Sequence, residues 1–208
     1  MMKIFKTAAA LAVLLSSAAL SQDTQDAMAV AQERAMDLGP AIGSQAPTDW
    51  SLPDQTGTAR TLADISGPSG TVIFFNRSLD WCPFCQNQTI ELEMMYEAFV
   101  ERGYGVAVLT YEPVETNARF AAEHASRVVL LADEGSVVIR QFDILDPVYI
   151  GRSGRFDGLP YPVAFALSPT GEVKAKFWHE PGFGEDRGYR IRVSTEDVLT
   201  SLDALSVE

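Results

Sequence analysis

The sequence predicts an α/β domain with a central mixed sheet flanked by helices and an extension at its N-terminus. Three observations carry this. Between residues 71 and 142, short β-branched or aromatic runs alternate with helical stretches, the pattern of a partly parallel sheet covered on both faces. Residues 163–178 give two extended runs joined by Ser168-Pro169-Thr170-Gly171, a hairpin. Residues 194–206 read as a closing helix, opening on Ser194 or Thr195 with Glu196 and Asp197 in the first turn, where acids favour the positive end of the helix dipole.

In chain order, residues 1–21 have the form of a cleavable secretory signal: Lys3 and Lys6, an apolar stretch from Thr7 to Leu20, and small residues at Ala19 and Ser21. That core is shorter than the roughly 20 residues a membrane span needs, so the expectation is a soluble, periplasmic or secreted protein. Residues 22–41 form a polar extension, helical over 22–38 on the spacing of Met28, Ala31, Ala35 and Leu38, or else a mobile entry to the domain. The domain itself runs over 42–208. Residues 47–65 read as two short extended pieces around a Gln-Thr-Gly turn and a brief helical turn. "TVIFFN" (71–76) is a strand buried on both faces. The helix from Pro83 carries Leu92, Met95, Tyr96 and Phe99 at one-face spacing, and Met94 and Met95 read as packing residues. Strand "YGVAVLTY" (104–111), helix 114–125, strand "RVVLL" (127–131) and helix 136–142 follow. The pattern then lapses over 143–161, a length that in a compact domain points to a functional loop. Residues 181–188 are a glycine-rich surface loop.

The formal charge is −12, and removing Lys3 and Lys6 with the leader makes it −14. So acidic a surface disfavours nucleic acid and anionic membranes as partners. About 187 residues remain after cleavage, enough for one domain with a full core.

The chemistry concentrates in "SLDWCPFCQNQ" (78–88), which holds both cysteines, Cys82 and Cys85. In an oxidising compartment a structural disulfide is one reading. A ring of four residues is worth only roughly 2 kcal/mol in the chain-entropy model against about 3 for fifteen, so stabilisation is a poor purpose for it. A metal or carrier module is another reading. It lacks ligands, because only His124 and His179 could join the cysteines, and nothing in the sequence places either there. The third reading is a reagent. Cys82 lies between a buried strand and the first turn of a helix, whose free N–H groups and dipole favour thiolate. Pro83 suits the first helical position, and Cys85, one turn on, is placed to resolve a mixed disulfide on Cys82.

"WCPFC" after a buried strand, with "IGSQAPTDWSLPDQTGTARTLADI" before it and "GLPYPVAFALSPTGEV" after it, resembles the redoxin branch of the thioredoxin-like superfamily, the alkyl hydroperoxide reductase/thiol-specific antioxidant (peroxiredoxin-like) family, over about residues 42–206. The resemblance implies a thioredoxin-like fold and a cis proline facing the cysteine pair, here Pro162 after Tyr161, with Tyr161 presenting its backbone to an extended substrate. A trans proline opening a strand is the other reading. Cys82 and Cys85 are then the catalytic pair, and Trp81, Pro83, Phe84, Tyr161 and Pro162 the substrate-binding residues.

Two departures separate this chain from the peroxidatic pattern of the family, Pro-x-x-x-Thr/Ser-x-x-Cys. Counted from Cys82, Leu79 stands at the hydroxyl position and Phe75 at the proline; counted from Cys85, the residues are Cys82 and Ser78. The strand arginine of the family is replaced by Pro162, which leaves Arg77, Arg152 and Arg155 as candidates to approach the pocket. The expectation is an exported thiol–disulfide oxidoreductase without a dissociable cofactor. It would exchange with protein or small-molecule thiols and disulfides and with a membrane or periplasmic dithiol partner. A thiol peroxidase is the first alternative and a redox-inert metal-binding or carrier module the second.

Overall fold

The computed structural model describes residues 38–124 and 126–206. The leader at 1–21, and the extension as far as residue 37, lie outside the described residues. Leu38 is already part of the packed domain, buried in its core, with its carbonyl accepting from Lys176 Nζ at 3.0 Å.

Two short strands, β1 (Leu52–Pro53) and β2 (Ala59–Arg60), pair antiparallel ahead of a one-turn helix, α1 (Leu62–Ile65). The central sheet follows, built from β3 (Gly70–Phe75), β4 (Tyr104–Thr110), β5 (Val129–Ala132), β6 (Val163–Leu167) and β7 (Val173–Trp178) in the order β5-β4-β3-β6-β7. The strands β3, β4 and β5 are parallel, and β6 and β7 join antiparallel, which makes the mixed sheet predicted from the sequence. Helices α2 (Pro83–Met94), α3 (Tyr96–Glu101), α4 (Val114–His124), α5 (Val137–Gln141) and α6 (Thr195–Leu205) flank it, giving a thioredoxin-like fold.

Because side chains alternate along a strand, β3 feeds two cores. Ile73 and Phe75 face one with Leu109, Phe142, Ile144 and Phe165; Val72 and Phe74 face the other with Leu92, Phe99, Val108 and Leu202. Phe75 is packed by rings on two sides, 4.8 Å from Phe142 and 5.8 Å from Phe165 between centroids. This is why the run reads as continuously apolar: β3 is central in the sheet and covered on both faces.

The helix expected from Pro83 onward is broken in two at Met95, whose φ of −102° and ψ of 11° leave the helical region. Leu92 and Phe99 are nonetheless both fully buried. Met94, read from sequence as a packing residue, is instead 81% exposed, because it falls on the outward side of the last turn of α2. Helix α5 starts from Ser136 in the left-handed region, and the buried Asp133 caps it by accepting from the N–H groups of Val137, Val138 and Ile139 at 2.9–3.1 Å.

The peptide bonds of the described residues are all trans, so the expected cis bond at Tyr161-Pro162 is corrected. The physical reason lies in the preceding strand-like contact. Leu145 and Pro160 form an antiparallel bridge, and the Tyr161 N–H donates to Ile144 O at 2.8 Å, so the chain enters β6 already extended and paired.

Candidate active site

The site is built where β3 ends and α2 begins. Residues 76–81 make the connection, and the buried Glu112 carboxylate after β4 holds it: Ser78 Oγ donates to Glu112 Oε1 at 2.5 Å and the Leu79 N–H to Oε2 at 2.8 Å. The Ser78 hydroxyl oxygen in turn accepts from the N–H groups of Asp80 and Trp81, both at 3.0 Å. Burial pushes the Glu112 carboxyl above its ordinary value, partly offset by these two hydrogen bonds. Leu79 points into the apolar core beside the cysteines. Phe75 lies on the opposite core, so neither side chain presents a hydroxyl or a proline to the sulfurs.

Cys82 is the N-cap of α2 and Pro83 its first residue. The Cys85 N–H donates to Cys82 Sγ at 3.4 Å, the helix-terminal contact that favours negative charge on that sulfur. The two cysteines are disulfide-bonded, with Cα atoms 5.3 Å apart. Cys82 is 1% exposed yet lines an open cleft; Cys85 lies behind it, fully buried.

Sequence reasoning missed the residue in closest polar contact with the pair. Arg192, two residues before the N-cap of α6, donates from Nη2 to Cys85 Sγ at 3.2 Å and to Cys82 Sγ at 3.7 Å, and from Nη1 to Asn76 Oδ1 at 3.3 Å. Burial, then the neighbouring charge of Arg77, holds its pKa down to about 9, so it remains a cation at neutral pH. A cation on both sulfurs opposes a bound metal ion and stabilises a thiolate. No periodicity marks Arg192 in the sequence; the only cue is its position just before a capped helix.

Arg77, Arg152 and Arg155 all line the cleft over Cys82, a space of about 380 Å³. Its apolar surface comes from Trp81, Phe84, Tyr149, Phe156 and Tyr189. Trp81, Pro83 and Phe84 are therefore at the cleft, where the sequence put them. The loop 143–161 borders it as expected: Tyr149 stacks on Phe156 at 5.6 Å, and Phe156 meets Trp81 edge-on at 6.3 Å. The loop is tied down by Tyr111 Oη, which donates to Arg155 O at 2.8 Å.

Tyr161 and Pro162 are not among the residues lining this cleft. Tyr161 is 2% exposed, with its ring against Phe183 and its hydroxyl donating to His179 O at 2.7 Å. Burial pushes its phenol up to about 12. His179 follows β7, and His124 ends α4 with its ring 4.4 Å from Phe120. Among the described residues, no group of three or more His, Cys, Asp or Glu is placed to hold a metal.

A cysteine pair at the N-terminus of the first helix after a central strand, on a thioredoxin-like fold, defines a redoxin. The chain belongs to the AhpC/TSA family, whose model matches residues 42–176, well over half of it. It is 27% identical over 130 residues to a chloroplastic peroxiredoxin Q of Populus jackii, covering 62% of this chain, and 27% identical over 128 residues to that of Sedum lineare. The chain spans 57% and 64% of the length of those two relatives. Among solved structures, the peroxidoxin BcpB of Mycobacterium tuberculosis superposes with a TM-score of 0.62 at 22% identity, covering 78% of this chain and 96% of that one. Peroxiredoxin 6 of Arenicola marina gives 0.68 at 16% identity, covering 81% and 74%. At such identities these two structures speak to the fold alone.

Proposed function

We propose that the protein is an exported thiol–disulfide oxidoreductase whose working couple is Cys82 and Cys85. The observation that carries the reading is the Arg192 guanidinium against both sulfurs at the N-terminus of α2. In the reduced state the Cys82 thiolate attacks one sulfur of a substrate disulfide and expels the other as a thiolate. Cys85 then attacks Cys82 Sγ, releases the second substrate thiol and closes the Cys82–Cys85 bond. The pair has lost two electrons and the substrate has gained them. Arg192 and the helix end lower the cost of negative charge on whichever sulfur is the thiolate. The reverse direction needs a dithiol or low-molecular-weight thiol to reduce the pair. Export rests on the leader-like residues 1–21, and the partner would then be a periplasmic or membrane dithiol.

A second reading, thiol peroxidase, is favoured by membership of the AhpC/TSA family and by the same arginine, whose donors could stabilise charge on a departing oxygen. The Cys82 thiolate would take one oxygen of a hydroperoxide, releasing an alcohol or water, and Cys85 would condense with the sulfenic acid to give the disulfide and water. Against it stand Leu79 and Phe75 at the positions of the peroxidatic hydroxyl and proline.

The reduction potential of the pair, with stopped-flow oxidation of the reduced protein, tests both. A potential above about −300 mV together with exchange with a dithiol supports the first reading. A potential below that with no exchange sinks it, and peroxide oxidation no faster than that of a free thiol sinks the second.

A further inference from the structure

We infer that the cleft over Cys82 is built for an anionic substrate: a low-molecular-weight thiol, or its disulfide, carrying a carboxylate close to the reacting sulfur. This rests on the dithiol-exchange reading and names the substrate class for it.

The protein as a whole is strongly acidic, with a formal charge of −12, yet ten residues line the cleft and three of them are arginines while none is an acid. Arg152 and Arg155 stand exposed at the rim, and neither forms a salt bridge among the described residues; Arg155 lies 5.4 Å from the ring centre of Trp81, and Arg152 the same distance from that of Tyr149. Arg77 is different in kind. It is 1% exposed, clamped with its guanidinium carbon 4.3 Å from the ring centre of Tyr149 and 3.9 Å from that of Tyr189. Its Nε and Nη2 are shielded from solvent and have no hydrogen-bond partner among the described residues. The nearest carboxylate, Asp146 Oδ2, is 3.6 Å from Nη2, close enough for attraction and too far for a hydrogen bond. Arg77 therefore adds positive charge behind the aromatic wall, partly met by Asp146, while the exposed guanidinium forks of Arg152 and Arg155 are the ones a carboxylate entering the cleft can meet.

The space of about 380 Å³ suits a small molecule. The aromatic walls would cover its hydrocarbon part while the arginines hold its charge. Once the carboxylate is seated, its thiolate attacks Cys82 Sγ at the cleft floor. The new bond joins substrate sulfur to Cys82, the Cys82–Cys85 bond breaks, and Cys85 leaves as a thiolate beside Arg192. A second substrate thiolate attacks the first substrate sulfur, giving the substrate disulfide and the Cys82 thiolate. Two thiols are oxidised and one protein disulfide is reduced.

The test measures reduction of the oxidised protein by 3-mercaptopropionate, 2-mercaptoethanol and cysteamine, with rates expressed per thiolate. The expected order is anionic, neutral, cationic, with about tenfold between the extremes at low salt and a smaller ratio at high salt. The Arg152→Gln/Arg155→Gln variant should lose most of that preference, whereas Arg127→Gln, which removes a charge paired with Glu93 and Glu97 elsewhere, should keep it. Equal rates within about twofold, or a preference that survives in the double arginine variant, overturn the inference and leave dithiol exchange standing. A pair that none of the three thiols nor dithiothreitol reduces overturns the dithiol-exchange reading itself.

Discussion

Arg192 Nη2 donates to Cys85 Sγ at 3.2 Å across 107 residues of sequence, and it is the closest polar contact made by either sulfur from outside residues 82–85. Its removal should be felt first as an acid–base property. In the reduced Arg192→Gln variant the thiol pKa of Cys82 should rise by about one unit, the scale of one charge-assisted contact at a partly buried site. The pH dependence of iodoacetamide alkylation reads this directly. A profile unchanged within about 0.3 units would mean that the helix end alone activates the thiol.

The division of labour between the cysteines has a covalent signature. Cys85→Ser should accumulate a mixed disulfide between Cys82 and a substrate thiol, because nothing remains to resolve it, whereas Cys82→Ser should form none. Intact-mass analysis after incubation with an oxidised small-molecule disulfide distinguishes the two. An adduct on Cys85 in the Cys82→Ser variant, formed as fast, would reverse the assigned roles.

Glu112 makes stability depend on pH in a definite direction. Its carboxyl is raised by burial above the ordinary 4.5, so between that value and the raised one the folded state keeps a proton that the unfolded state has released. Stability from this group is complete below 4.5 and falls as pH rises through that window. Glu112→Gln abolishes that slope, so the stability advantage of the native protein over the variant should shrink as pH rises above 4.5 in urea titrations. An advantage that grows with pH would contradict the assignment.

Phe75 tests the core that supports the site. Phe75→Ala leaves a cavity between Phe142 and Phe165 and should cost about 3–5 kcal/mol in chemical denaturation. A loss under about 1 kcal/mol would mean that the two rings close over the space.

Much of the fold was legible because it follows from local periodicity. The apolar run of β3, the alternation through β4 and β5, the hairpin of β6 and β7 and the Ser194 cap of α6 each declare themselves within a dozen residues. The cysteine pair and its aromatic neighbours Trp81 and Phe84 were legible for the same reason. Arg192 and Tyr189 were not: they reach the site by the path of the loop after β7, which no periodic pattern encodes. Tyr161 went astray through the same gap. Its position before β6 resembles a groove residue, but the bridge from Leu145 to Pro160 turns its N–H toward Ile144 and its ring into the core. Met94 shows the converse, an apolar residue left in water where the helix ends.

Arg192 sits two residues before the N-cap of α6, and the Thr195 N–H that opens that helix donates to Glu91 Oε1 on α2 at 3.4 Å. Contacts of this kind act both ways: whatever free energy the arginine gives to the thiolate, the thiolate returns to the docking of the C-terminal helix. The closing helix of the domain is thereby a reporter on the charge of the sulfurs, anchored more firmly when Cys82 or Cys85 is ionised than when the pair is oxidised. Amide exchange at α6 should consequently differ between the two redox states even though the ring that opens spans only four residues.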